Sequence, residues 1–129
     1  MREANQLTRE IIAASIEVHR NIGPGLLESA YEECLCQELS LRGFAFERQK
    51  SLPVSYKGLE LDCGYRIDLV VDGLVVLELK AVSKLEPIHE AQLLTYLRLS
   101  NIPLGLLINF NVPVLRSGIK RIVNNFQET

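Results

Sequence analysis

The stretch Arg66-Ile67-Asp68-Leu69-Val70-Val71-Asp72-Gly73-Leu74-Val75-Val76-Leu77-Glu78-Leu79-Lys80 decides how this chain folds. Side chains alternate across a strand, so residues two apart share a face. Ile67, Leu69, Val71, Val75, Leu77 and Leu79 fall on odd positions and form one apolar set, while Arg66, Asp68, Glu78 and Lys80 fall on even ones. Asp72-Gly73 between the two runs reads as a hairpin turn. A two-residue turn would pair Val71 with Leu74 and set Asp68 opposite Leu77, so the polar faces would disagree. A three-residue loop of Val71-Asp72-Gly73, with Gly73 left-handed in a G1 bulge, pairs Val70 with Leu74. The apolar faces then coincide, which is the stronger constraint on register. This register puts Arg66 opposite Glu78 and Asp68 diagonal to it, roughly 7–8 Å away at the backbone.

Working outward, helical spacing predicts helices over 6–21, with Thr8 as a cap, and over 26–42, separated by Gly23-Pro24-Gly25. Strands are expected at 44–50, 52–57, 59–71 and 74–80, then a helix over 86–100 with Pro87 in its first turn. The apolar run 104–110 reads as a strand buried on both faces. Residues 118–124 fit a last strand or a short helix. The order α, α, β-meander, α, β gives an α/β fold, one mixed β-sheet flanked by helices. The helix at 86–100 serves as the crossover to the 104–110 strand.

A chain of 129 residues suits a single domain spanning 1–129. Its hydrophobic share of 47% supports a true core. Only Gln127 to Thr129 read as disordered. No apolar run reaches the roughly 18–20 residues of a membrane span, and the polar, charged start does not read as a signal peptide. With three cysteines, Cys34, Cys36 and Cys63, the expectation is reduced thiols in a cytoplasmic protein. Cys34 and Cys36 diverge by about 200° around a helix, which is poor geometry for zinc. A net charge of −2 argues against a sequence-independent DNA coat. It does not exclude a nuclease, because a carboxylate site is acidic until its metal ions reverse the local field.

Two acids and a lysine on one sheet face have a chemical use. A hard divalent cation such as Mg²⁺ takes carboxylate oxygens, and it can acidify a water and neutralise charge on a phosphodiester. Lys80 beside it can orient the water or stabilise phosphate charge. The competing reading is a solvated polar face with an Arg66–Glu78 pair. Two further groups weigh against it. Gly25, Glu28 and Tyr31 step by three along the second helix, although Glu28 also suits a first helical turn through the dipole. Gln92 and Tyr96 share a face of the later helix, with His89 nearby. Arg66, Lys84 and Arg98 are expected to rim the cleft and meet phosphates. His19 is expected to be structural.

Taken together, these residues resemble the PD-(D/E)XK nuclease superfamily, and within it the GxxExxY proteins. Gly25, Glu28 and Tyr31 match the name-giving motif, Asp68 the acidic residue, Glu78-Leu79-Lys80 the Glu-x-Lys element, and Gln92 and Tyr96 a Gln-x-x-x-Tyr element. Ile67 stands where a proline often precedes the aspartate. The resemblance spans about residues 7 to 124. It implies a restriction-endonuclease-like core that binds Mg²⁺ or Mn²⁺ through Asp68, Glu78 and the Leu79 carbonyl, with Glu28 contributing directly or through water. Asp68, Glu78, Lys80, Glu28 and Gln92 are then the expected catalytic set. Gln92, Tyr96, Arg66 and Tyr31 are the expected substrate contacts. DNA is the expected substrate, RNA or nucleotides being a weaker reading, and a homodimer or protein partner is open. The alternative function is a nuclease-fold module with weak or no turnover that binds nucleic acid or serves as a partner-dependent regulatory subunit.

Overall fold

The computed structural model describes residues 2–124, without the side chain of residue 2; the expectation for Gln127–Thr129 lies outside the described residues. Helix α1 runs Arg2–Ile22 and buries Ala4, Leu7, Ile11, Ala14, Ser15 and Val18 at helical spacing. It starts before the expected position 6. Thr8 is therefore an interior residue and not a cap, and its hydroxyl donates to the Asn5 carbonyl at 2.9 Å. Helix α2 runs Glu28–Leu41, with Leu27 at its N-cap position and Tyr31, Glu32, Leu35, Cys36 and Leu39 buried.

Strands β1 (Phe46–Ser51), β4 (Arg66–Val71), β5 (Val75–Lys80), β6 (Leu104–Asn109) and β7 (Ile119–Val123) form a five-stranded sheet in the order β1-β4-β5-β6-β7. Among the described strands, only β5 and β6 run parallel, joined by α3 (Pro87–Ser100). This is the expected mixed sheet flanked by helices. Residues 118–124 resolve in favour of a strand, entered through a 3-10 turn at Leu115–Gly118.

Two further expectations, on strand extent and register, also change. The strand read over 59–71 is broken, because Gly64 takes φ 78 and its N–H bonds the Asp62 carboxylate at 3.2 Å. Its first part, β3 (Leu59–Leu61), pairs with β2 (Val54–Tyr56) in a separate two-stranded sheet instead of continuing a meander. The hairpin register also moves. Asp72 and Gly73 both adopt positive φ, 52 and 66, and Leu74 N–H bonds Val71 O at 2.9 Å. Those are the signs of a type I′ turn, here with Leu74 as an extra residue, since the pairs are Val71↔Val75, Val70↔Val76 and Leu69↔Leu77. Parity is as expected, but the register is two residues along. Continued by one residue, it sets Asp68, not Arg66, against Glu78.

The sheet is buried on both faces. Leu69, Val71, Val75, Leu77, Leu79, Leu104, Leu106 and Ile108 pack against α1 and α2. Val70, Val76 and Leu107 pack with Leu93, Tyr96 and Leu97 of α3. Each such side chain contributes about 1.5–3 kcal/mol by leaving water. Ile67 joins the α3 layer and not the odd-numbered face. The alternation of β4 therefore slips at Asp68, across from Gln49, which takes φ 49.

Gly105 and Gly118 mark the tightest packing. A Cβ at Gly118 would run into the backbone carbonyl of Asn109, whereas one at Gly105 would meet only the side-chain tips of Leu93 and Leu97, at 3.0–3.3 Å. Side-chain tips can move and backbone cannot. Gly118→Ala is expected to destabilise by about 1–3 kcal/mol and Gly105→Ala by less, as read by urea unfolding. Equal losses would contradict this packing.

Candidate active site

Beyond the Leu69–Leu77 pair, β4 and β5 stop pairing with each other. Each stays bound to its outer neighbour: Ile67 and Arg66 to β1, and Glu78 to Lys80 to β6. The sheet therefore forks, and main-chain donors inside the fork lose their strand partners. Two carboxylates replace them. Asp68 N–H donates to Glu78 Oε2 at 3.0 Å, and Leu79 N–H donates to Asp68 Oδ2 at 2.8 Å. The bonds are reciprocal, so both side chains are fixed by the strands that carry them. A buried N–H left unpaired would cost about as much as a lost hydrogen bond, so the fork requires acceptors at these positions.

The electrostatics are strained. Burial pushes the Glu78 carboxyl up to about 8, helped by the charge of Asp68 and, more weakly, of Glu28. Burial and the charge of Glu32 also raise Asp68, against the Leu79 N–H and the Gln49 amide. The Lys80 ammonium favours the charged form of both acids. Lys80 forms no ion pair among the described residues. A buried and a half-buried carboxylate facing each other with one lysine lack counter-charge, and their donors are all hard oxygens. That donor set fits a hard divalent cation.

The surrounding residues divide clearly. Glu28 is exposed at the first turn of α2, and its Oε2 accepts Ala81 N–H at 3.4 Å, just past Lys80. It thus lies at the mouth of the fork. Among the described residues, no three His, Cys, Asp or Glu side chains converge as a metal cluster, so Glu28 does not complete one with Asp68 and Glu78. On α3, Gln92 Nε2 donates to the Tyr96 hydroxyl at 3.0 Å. After burial, the charge of Glu78 is the next cause that raises the Tyr96 hydroxyl pKa, with Asp68 acting in the same direction. His89 is used elsewhere: its Nδ1 caps α3 by accepting Glu86 N–H at 2.9 Å. His19 is structural as expected, donating from Nε2 to the Val112 carbonyl at 2.8 Å. Arg66 is exposed at the open end of β4 and bonds Ser51 Oγ at 3.0 Å. Lys84 and Arg98 are exposed, and with Arg66 they form no ion pair among the described residues.

Tyr31 is corrected from a substrate contact to a structural residue. It is fully buried and stacked on Phe110 with ring centroids 4.5 Å apart. Its hydroxyl donates to Gly23 O at 2.6 Å and accepts Leu26 N–H at 3.2 Å, so nothing remains free to meet a substrate. It anchors the loop that leads into α2 and thereby sets the position of Glu28.

Sequence reading missed a second line of residues. Glu32 is one turn beyond Glu28 on α2 and is buried, where Arg48 Nη2 bonds it at 2.9 Å and Gln49 Nε2 at 2.7 Å. The same Gln49 amide reaches Asp68 Oδ1 at 3.4 Å, linking α2 to the fork. The i, i+4 step from Glu28 was the available signal. Asn109, at the end of β6, was also missed. It is buried, accepts Val82 N–H at 3.1 Å and donates to Val82 O at 2.9 Å, pinning the chain where it leaves Lys80.

A carboxyl whose pKa is raised by folding stabilises the folded state below its unfolded pKa, and that contribution is lost as pH rises through the folded value. For Glu78 the window runs from 4.5 to about 8, and Asp68 shifts in the same direction. In chelator, the melting temperature is expected to fall across that window. Glu78→Gln should flatten the fall, and an unchanged slope in this variant would contradict the burial of a strained acid.

Comparison with known proteins agrees with this geometry. The family model described as the PD-(D/E)XK nuclease superfamily matches residues 5–122, which runs from the first turn of α1 through the fork to all but the last residue of β7. No curated protein and no solved structure matches the chain. Among the described residues, no helix is long and apolar enough to cross a membrane. The match covers far more than half of the chain, and the chain belongs to the PD-(D/E)XK nuclease superfamily.

Proposed function

We propose that this protein is a divalent-metal-dependent nuclease that hydrolyses DNA phosphodiester bonds at the β4–β5 fork, acting as a single cytoplasmic domain of the GxxExxY kind. The observation that carries the reading is the reciprocal bonding of the Asp68 and Glu78 carboxylates to each other's strands, with the Lys80 ammonium close enough to stabilise the charge of both. Asp68, Glu78 and the Leu79 carbonyl would hold Mg²⁺ or Mn²⁺, with Glu28 contributing at the mouth through water. When bound, such an ion supplies charge neutralisation for the phosphodiester and lowers the pKa of a water.

The remaining roles belong to the chain. Lys80 supplies a positive charge where negative charge develops on the phosphate. Gln92 and Tyr96 are bonded to one another and orient the substrate from α3. Arg66, with Lys84 and Arg98, offers exposed guanidinium and ammonium groups to the phosphate backbone. The Glu32–Gln49 pair holds Asp68 in place without touching substrate.

The test is cleavage of plasmid and single-stranded DNA with Mg²⁺ or Mn²⁺, beside Lys80→Ala and Asp68→Asn. Loss of one charge-stabilising donor lowers turnover on the order of 100- to 1000-fold, so both variants are expected to fall at least that far while remaining folded. Undiminished cutting by Asp68→Asn would place the activity elsewhere. No cutting by the wild type with any divalent ion would favour a binding or regulatory module.

A further inference from the structure

A cleft of about 480 Å³ lies between the β2–β3 hairpin and the outer flank of α3, lined among others by Val54, Leu61, Tyr65, Gln92, Tyr96 and Leu99. Its walls are mainly aliphatic and aromatic. Its volume is in the range of clefts that enclose small organic groups, roughly 300–1,000 Å³. It adjoins the fork along the chain, since Tyr65 in its wall stands three residues before Asp68 at the entrance to β4, and the charges of Glu78 and Asp68 reach the Tyr96 hydroxyl in its wall. Tyr65 is half exposed, so its ring is available to a ligand.

We infer that this cleft is a subsite for one unpaired nucleobase next to the phosphate held at the fork, and that single-stranded or unpaired nucleic acid is the preferred substrate class. The inference rests on the nuclease reading above and deepens it. Three observations select the occupant. The walls offer no cation, so a phosphate would be poorly held there. Every base has a π-face that a tyrosine ring can stack on, whatever its sequence. The chain carries a net charge of −2, and its fork adds Glu28 and Glu32 to two further acids, so phosphate contacts alone are a weak source of affinity. A base inside a duplex is already stacked and paired and would first have to be extruded, which costs free energy that a single strand does not lose.

The separation of this sheet explains why the cleft exists. Had residues 59–71 formed one strand, the hairpin would lie in the main sheet and leave no gap beside α3. The break at Asp62–Gly64 turns β2–β3 out of the sheet, and Tyr65 follows directly, at the entrance to β4 and three residues before Asp68. One short segment therefore carries both the stacking ring and the carboxylate.

The test compares binding of a labelled thymidine 12-mer, an abasic 12-mer with the same phosphodiester backbone, and a 12-base-pair duplex by fluorescence anisotropy. Ca²⁺ serves as a hard cation that takes the same oxygen ligands. Wild-type protein is expected to bind the base-bearing strand roughly tenfold or more tightly than the abasic strand, the worth of one stacked base, and more tightly than the duplex. Tyr65→Ala should bring the two single strands level without weakening the abasic one, and Tyr65→Phe should keep the preference because the ring remains. Equal binding of both strands by the wild type, duplex binding as tight as that of the thymidine strand, or an unchanged preference in Tyr65→Ala would overturn the subsite while leaving the nuclease reading standing. Binding of none of the three nucleic acids would overturn both.

Discussion

The reciprocal pair of bonds by which the Asp68 and Glu78 carboxylates accept from the main chain of each other's strands, at Leu79 and Asp68, is the interaction on which the rest depends. A sheet that forks must leave backbone donors without strand partners, and buried donors must be satisfied. Here the satisfying acceptors are the acids themselves. The same contact that closes the backbone ledger therefore aims two carboxylates into one space. Burial raises both pKa values, joined by the charge of Asp68 at Glu78 and by the charge of Glu32 at Asp68, so the arrangement is opposed by its electrostatics. Strain concentrated at such a point is characteristic of functional sites.

The neighbouring elements act on this pair in different ways. The parallel β5–β6 ladder, with Asn109 fixing Val82, holds the exit of β5 so that Lys80 stays beside the acids. Tyr31 on Phe110 fixes the start of α2, and with it Glu28 at the mouth and Glu32 behind Gln49. Helix α3 closes the other side through Leu93, Tyr96 and Leu97, packed close enough to the sheet that a Cβ at position 105 would press on the tips of Leu93 and Leu97. Fold and site thus share residues, and removing one packing element would loosen the other.

Much of this was legible in the sequence, because period-two patterning in β4 and β5 and the two-sided apolar run of β6 are strong physical signals. They placed Asp68, Glu78 and Lys80 together before any coordinates, and helical spacing joined Gln92 to Tyr96. What escaped depends on tertiary context. The register slid by two residues because a type I′ turn with an extra residue preserves parity as well as the bulged loop does. Ile67 changed layers because Gln49 adopts a left-handed conformation across from Asp68, which no pattern of hydrophobicity encodes. Glu32 and Arg48 escaped because only folding buries the acid against the guanidinium. Tyr31 carries a motif position, yet its burial follows from the loop it anchors and from Phe110, almost eighty residues away in sequence.

The most direct test of the central claim, that the fork is a carboxylate pair awaiting a hard cation, is calorimetric titration of the chelator-stripped protein with Mn²⁺. Wild-type protein should bind the ion, and Asp68→Asn and Glu78→Gln should each weaken binding at least tenfold while keeping the metal-free fold at least as stable, since a repulsive charge has been removed. Wild-type protein that binds no divalent ion, or variants that bind it as tightly as wild type, would contradict the account.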